Sequence, residues 1–420
     1  MSTDATKSIE QPPRTLGGRA RLIGPGLVAA ATGVGAGDIV SSLAAGARLG
    51  MALLWAIIVG AVLKYALAEG VGRWHLASGT TILTGWRRLG TWTMVYFGIY
   101  IVIWGFSFGA AAMSATALPL NALFPVLSVR VWGIISGLVG LVLVGFGRYQ
   151  FFERLMTVLV GVMFVTVVGS AIAVAADVES LTIGLRPQMP ADSIVYVLGL
   201  LGGVGGSITL AAYGYWIREK GWRRPEWLAV MRLDNSVAYV ITGIFVIAMM
   251  IVGTALLFGT GQDIGEEAGL IPFADQLQER LGSGVRLLFL LGFFSAAATS
   301  LLGVWNGVSL LFADFVRVAR GVPDADADAH VNESSGAFRA YLLWLTFPPM
   351  ALLFLDQPVT LVLIYTVLGA IFLPFLAVTL LWLLNRHVDG PYRNRWLSNL
   401  ALLASAVLFL VIAINEIAAA

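Results

Sequence analysis

Few residues in this chain could do chemistry, and the two most suggestive lie inside apolar stretches: Asp38 and Lys64. Asp38 follows Gly33-Val34-Gly35-Ala36-Gly37, a glycine cluster within the first apolar stretch. A carboxylate at that depth is costly unless partnered, so it is read as a group that binds a solute or carries a proton. Its blander readings are an ion pair with Lys64, or a cap on a helix that restarts beyond the glycines. Lys64 itself reads as a countercharge or a snorkelling side chain. Glu69 and Arg73, four residues apart, read as a structural pair. Sulfur and imidazole chemistry is scarce: there is no cysteine, and the histidines are His75, His330 and His387. Disulfides, thiolate metal sites and a cysteine nucleophile are therefore excluded. No nucleophile–base pair and no set of metal-ligating side chains is visible, so an enzyme is not expected, nor a resident cofactor or bound metal.

The elements that must position these residues are set by composition. Of 420 residues, 58% are hydrophobic and only 12% are charged, against about 25% charged in soluble proteins. That is too little charge for a water-facing surface and implies a polytopic membrane protein, whose first partner is the lipid bilayer. A net charge of +2 leaves no footprint for a nucleic acid. Apolar stretches fall near 22–47, 51–72, 93–118, 131–147, 155–176, 194–217, 233–258, 285–312, 341–355, 359–383 and 396–417, giving eleven candidate spans. Residues 1–21 read as a polar cytosolic tail. With that tail inside, twenty of the 26 bases fall on the inner side; only Arg48, Arg130, Arg186, Arg280 and Arg286 fall outside. This bias predicts an inner-membrane protein with its N-terminus cytoplasmic and its C-terminus external. The inner connection at 313–340 contains Pro-Asp-Ala-Asp-Ala-Asp-Ala at 323–329. It reads as a solvated, mobile loop, since it lacks the Gly and distal Glu of a calcium loop.

The first and sixth spans share an oddity. The sixth contains Gly202-Gly203-Val204-Gly205-Gly206-Ser207, matching the cluster before Asp38. Each glycine costs a helix about 1 kcal/mol relative to alanine, so such clusters favour unwinding. Paired glycine-interrupted spans in the two halves of a transporter point to its binding site. Unwound backbone there offers free N–H and C=O groups to a solute. The small residues from Gly98 to Ala115 read instead as a close-packing face. A nucleotide loop is excluded, since no strand precedes the glycines.

Gly24-Pro25-Gly26, the broken motif, Leu43-Ala44-Ala45-Gly46-Ala47 and Leu53-Leu54-Trp55 resemble the first two helices of the NRAMP family. The resemblance continues through the sixth span, Arg232-Leu233-Asp234 and Leu373-Pro374-Phe375. It implies an all-α, LeuT-type fold with a 5+5 inverted repeat plus one helix, with helices 1 and 6 broken. The core would be 22–383, with repeats near 22–176 and 194–383, and 396–417 would be the added helix. The family imports divalent metals with protons, and its ligand motifs are altered here. Its Asp-Pro-Gly-Asn falls on Gly35, Ala36, Gly37 and Asp38. Its Ala-Thr-Val-Met-Pro-His falls on Ser207, Ile208, Thr209, Leu210, Ala211 and Ala212, and its tenth-helix Gln falls on Phe372. The third span carries no acid.

Losing thioether, imidazole and carboxamide removes the basis for selecting softer metals. The reading that follows is a secondary transporter working by alternating access on a small polar organic solute such as a sugar. Its site would comprise Gly35, Asp38, Ser207, Thr209, Leu210, Tyr213 and Asn306, walled by Phe372 and Trp104. Trp216, beside Arg218, reads as an interfacial belt residue. The alternative substrate is a divalent cation, Mg²⁺ or Mn²⁺, since a hydrated hard cation needs only one or two carboxylates. A channel or a membrane sensor on the same scaffold is the alternative of another class. In LeuT-type symporters, hydroxyls of the eighth helix help to hold sodium. Thr299-Ser300 resembles that pattern, making Na⁺ one candidate coupling ion and H⁺ through Asp38 the other; uncoupled transport is equally open.

Overall fold

The computed structural model describes residues 11–146, 149–178, 183–191, 193–203, 205–260, 278–279, 282–355 and 358–419. The described secondary structure is helical throughout. The glycine clusters act as expected. Helix α1 (Pro25–Gly33) stops at Gly33, where Val34 turns extended, and α2 (Ala36–Leu49) restarts two residues later. In the sixth stretch α8 (Ile194–Gly203) and α9 (Thr209–Glu219) are likewise separate. At 1.5 Å per residue, α1 and α8 are each about 15 Å or less, half of the roughly 30 Å hydrocarbon core.

Continuous helices follow each broken pair. After the first come α3 (Leu54–Ser78), the short α4 (Ile82–Leu89), α5 (Thr91–Leu123), α6 (Val129–Phe146) and α7 (Tyr149–Val174). After the second come α10 (Leu228–Leu257), α11 (Ser283–Ala319), the one-turn α12 (Ala327–His330), α13 (Gly336–Met350) and α14 (Pro358–Arg386), and α15 (Trp396–Ala419) stands alone. Among the described residues, eight helical stretches are long and apolar enough to cross a membrane. Below eleven, the half-helices α1, α8 and α9 are too short alone and α2 runs into α3 through a 3-10 turn, whereas α14 is itself a continuous helix of 29 residues.

Helix α5 shows how the sequence sorts its faces. Ile99 and Ile103 point outward, at 59% and 51% exposure, whereas Tyr100, Trp104 and Phe108 are buried. These two sets lie on opposite sides of a 3.6-residue period, as a helix between lipid and protein requires. The small residues on α5 do pack closely. A Cβ on Gly109 would meet the Leu345 carbonyl of α13, and one on Gly98 would lie 2.6 Å from the Phe315 ring of α11. The broken helices form the centre: α1 packs on α7, α9, α10 and α11, and α2 on α8 and α10.

Ion pairs gather at one end of the bundle. Glu69 at the end of α3 holds Arg73 at 3.1 Å and Arg232 at 2.9 Å. Lys220 after α9 holds Glu153 at 2.6 Å. Asp234 of α10 accepts from the Gly24 amide ahead of α1 and from the Tyr213 hydroxyl of α9. Arg232-Leu233-Asp234 thus fastens three elements together. The acidic segment 323–329 is a correction to the sequence reading. It is docked rather than solvated, because its carboxylates find arginines. Asp324 takes Arg317 and the Thr84 hydroxyl, while Asp328 of α12 bridges Arg218 and Arg223. The Arg223 and Arg218 guanidiniums hold Asp328 below the usual carboxylate range. The connection at 259–284 lies mostly outside the described residues.

Candidate functional site at the two helix breaks

The two breaks touch. A Cβ on Gly33 would lie 2.6 Å from the carbonyl carbon of Gly205, so no side chain fits between them. Gly205 and Gly206 have φ of +77° and +79°, a region that other L-residues enter only at a cost of about 1–2 kcal/mol. The sequence therefore builds a bare crossing of two unwound segments in the middle of the bundle.

Asp38 lies on the first turn of α2, facing this crossing, and is 4% exposed. Its Oδ2 accepts the Gly35 amide at 3.0 Å, satisfying a donor that the helix start leaves free. The Gly205 amide lies beside the same carboxylate. Its Oδ1 is buried and accepts no hydrogen bond. Asp38 is thus a cap through one oxygen and unsatisfied at the other, a combination that a folded core rarely tolerates without purpose. Lys64, fully buried on α3, donates to the Gly206 carbonyl at 2.7 Å.

Oxygen groups cluster around this pair. Ser300 of α11 donates to the Thr32 carbonyl at 3.1 Å, and the Tyr365 hydroxyl of α14 accepts the Gly37 amide at 3.3 Å. Ser207 sits against Gly369 of α14. A small cavity of about 10 Å³, room for roughly one water, lies beside them, lined by Phe108, Ala111, Ala112 and Ala115 of α5, Ala297 and Ser300 of α11, and Tyr365. Trp104 stacks on Phe108 at 4.6 Å and Phe372 on Tyr100 at 5.2 Å. The Trp104 indole N–H and the Tyr100 hydroxyl are both buried and unpartnered.

The structure brings Gly35, Asp38, Ser207 and Ser300 to the breaks, with Trp104 and Phe372 in the aromatic layer next to them. Thr209 and Leu210 form the buried first turn of α9. Tyr213, Asn306 and Thr299 are engaged elsewhere. Tyr213 donates to Asp234 at 2.8 Å, and Thr299 bonds its own helix at Ala296. Asn306 joins the Trp216 indole to Glu333 at 3.0 Å each. Trp216 is fully buried, not a belt residue, because that indole hydrogen bond draws it inward. Tyr365 was missed by sequence reasoning; its signal was a position seven residues before Phe372, hence on the same face of α14. Among the described residues no group of three His, Asp or Glu side chains is placed to hold a metal. The polar groups at the breaks are one carboxylate, hydroxyls, backbone carbonyls and one ammonium.

A sequence model of the natural resistance-associated macrophage protein-like family (Nramp) matches residues 26–419. The chain belongs to the Nramp family. Nramp proteins are secondary transporters, and this chain has their helical, multi-pass membrane architecture. A divalent metal cation transporter, MntH, of Mycobacterium tuberculosis is 24% identical over 302 residues, covering 69% of each chain. That of Mycobacterium leprae is 26% identical over 313 residues, covering 69% of this chain and 70% of its own length. Among solved structures, a mutant of the Eremococcus coleocola manganese transporter superposes with a TM-score of 0.79 at 16% identity, covering 98% of this Nramp chain and 90% of its own. MhsT in complex with L-phenylalanine superposes at 0.64 with 14% identity, covering 94% and 98%. Both share the LeuT-type fold with this chain. A fold common to a manganese transporter and a protein that binds phenylalanine does not by itself choose a substrate.

Proposed function

We propose that this chain carries a divalent metal cation of the hard class, Mg²⁺ or Mn²⁺, across the inner membrane by alternating access, with Asp38 as its anchoring ligand. The observation that carries the reading is the free Oδ1 of Asp38, buried at the touching breaks among oxygen donors. Hard cations take carboxylate, carbonyl, hydroxyl and water oxygens, and Mg²⁺ keeps much of its own water. Family membership and relatives named for divalent metal cations support the same choice. The sugar expected from the aromatic residues has no support from these relatives. The aromatics also stack on one another, and Tyr213 and Asn306 are spent on Asp234, Trp216 and Glu333. The charge bias of the connections supports placing the ion-paired end, with the N-terminus, in the cytosol.

Uptake of Mn²⁺ and Mg²⁺ into proteoliposomes, read with an ion-sensitive dye, tests this. Saturable uptake by the native chain and its loss in Asp38→Asn, with thermal unfolding unchanged, is the expected result. Stabilisation by sugars with no uptake of either cation would overturn it.

A further inference from the structure

The bases at the ion-paired end fall into two groups. Arg73, Arg218, Lys220, Arg223, Arg232 and Arg317 each hold a carboxylate. Arg88 and Arg386 are exposed, and among the described residues no ion pair joins either of them, or the neighbouring Asp389, to a group of opposite charge. The two arginines come together because α4 packs on the last turns of α14. The Trp86 indole donates to the Thr379 hydroxyl at 3.0 Å, and a Cβ on Gly85 would lie 3.0 Å from a Leu383 methyl. Arg88 and Arg386 each follow that contact by three residues, one turn further on the same side of their helices. His387, also exposed, feels both: partial burial, and then the charges of Arg88 and Arg386, hold its imidazole below the usual histidine range. The C-terminal ends of α4 and α14 offset about half an elementary charge each, so an excess of positive charge is left without a counterion.

An apolar seam runs away from this cluster. Tyr96 of α5 stacks on Phe375 of α14 at 4.4 Å, and Trp92 stands edge-on to the same ring at 6.0 Å. Flanking that join, the outward residues are exposed and apolar: Trp92, Val95 and Ile99 on α5, Val378 and Trp382 on α14. Trp382 and Arg386 are one turn apart on one face, so the apolar stripe of α14 ends in a base. On α5 the stripe begins at Trp92, four residues after Arg88.

We propose that this corner binds one anionic phospholipid, its phosphate held by Arg88 and Arg386 and an acyl chain laid along the seam between α5 and α14. A guanidinium fork matches phosphate oxygens, and basic clusters at the membrane surface attract anionic headgroups. A zwitterionic lipid brings an ammonium of its own, which the arginines repel. A soluble anion has no use for the seam. The corner lies apart from the helix breaks, so the proposal stands whichever solute is carried.

Native mass spectrometry of the chain, released from micelles holding equal amounts of phosphatidylglycerol and phosphatidylcholine, reads the bound lipid directly. The native chain should keep phosphatidylglycerol in preference, less so as salt is raised during exchange. The preference should fall about fivefold in Arg88→Gln or Arg386→Gln, and about thirtyfold when both are changed. Arg48→Gln with Arg154→Gln removes the same charge from exposed sites on α2 and α7 and should leave the preference intact. Equal retention of the two lipids by the native chain, an unchanged preference in the Arg88/Arg386 double variant, or an equal loss in the Arg48/Arg154 one would overturn the proposal. Displacement of the lipid by an equal concentration of glycerol phosphate, the headgroup without acyl chains, would overturn it as well and make the cluster a site for a free anion. If the double variant does not fold, the preference of the native chain and the glycerol phosphate competition decide.

Discussion

Glu333→Gln tests the ion-paired end quantitatively. Glu333 precedes α13 and accepts from Asn306, which in turn holds Trp216 on the second half of the broken sixth helix. Burial, with the Glu219 carboxylate nearby, pushes the Glu333 carboxyl from 4.5 up to about 7, against the opposing pull of the Asn306 hydrogen bond. An unfolded glutamate ionises near the lower value and the folded one near the higher. Between them the folded state holds more protons, so stability is present at low pH and is lost as pH rises toward 7. At about 1.4 kcal/mol per pH unit the upper limit is roughly 3 kcal/mol, and partial exposure of the side chain reduces it to about 1–2 kcal/mol. Glutamine keeps the acceptor for Asn306 and removes the titration. Thermal unfolding in detergent, followed by tryptophan fluorescence, should therefore give the variant and the native chain the same midpoint near pH 4.5, with the variant higher at pH 8. A gap equal at both pH values would refute the reasoning, since it would not come from ionisation.

Three further outcomes follow from named contacts. Gly205→Ala places a Cβ 2.8 Å from the Tyr239 ring at φ +77°, whereas Gly221→Ala has φ +80° and open space; the first should cost about 1–3 kcal/mol more in unfolding, and equal costs would contradict the crossing. Asp328→Ala cuts both arginine clamps at once. These pairs are partly exposed, so midpoint loss should be small, about 1 kcal/mol or less, while protease cutting within 323–335 should rise; unchanged cutting would mean that the segment is held by something else. Ser300→Ala frees the Thr32 carbonyl without removing a carboxylate. Cation uptake should persist at reduced affinity, because the Ser300 oxygen keeps its lone pairs while its hydrogen goes to the Thr32 carbonyl; affinity unchanged from the native chain would remove Ser300 from the site.

The scaffold was legible because its signals are local. Glycine clusters break helices wherever they stand, and long apolar stretches make spans. The positions of Asp38 and Ser300 could be read because each sits at, or opposite, a break. Tyr213 and Asn306 were misplaced because neighbouring helical residues point about 100° apart, and which of them faces the break depends on how the whole helix is rotated by its packing. Tyr213 was turned to Asp234, 21 residues away, and Asn306 to Trp216, 90 residues away. The same distance hid the docking of 323–329. Its acidity was visible, but its partners Arg218 and Arg223 lie about a hundred residues earlier in the chain.

The contact between Gly33 and Gly205 has a mechanical consequence. Interdigitated side chains lock helices into discrete arrangements, and separating them means lifting one set of knobs out of another's holes. Two bare backbone segments have no knobs. Half-helices on either side can tilt about that point while the stacked aromatic layer of α5 and α14 stays intact as a block. The proposed ion site is then also the place that moves least, so the residues around it can be altered one at a time without jamming the machinery that turns around them.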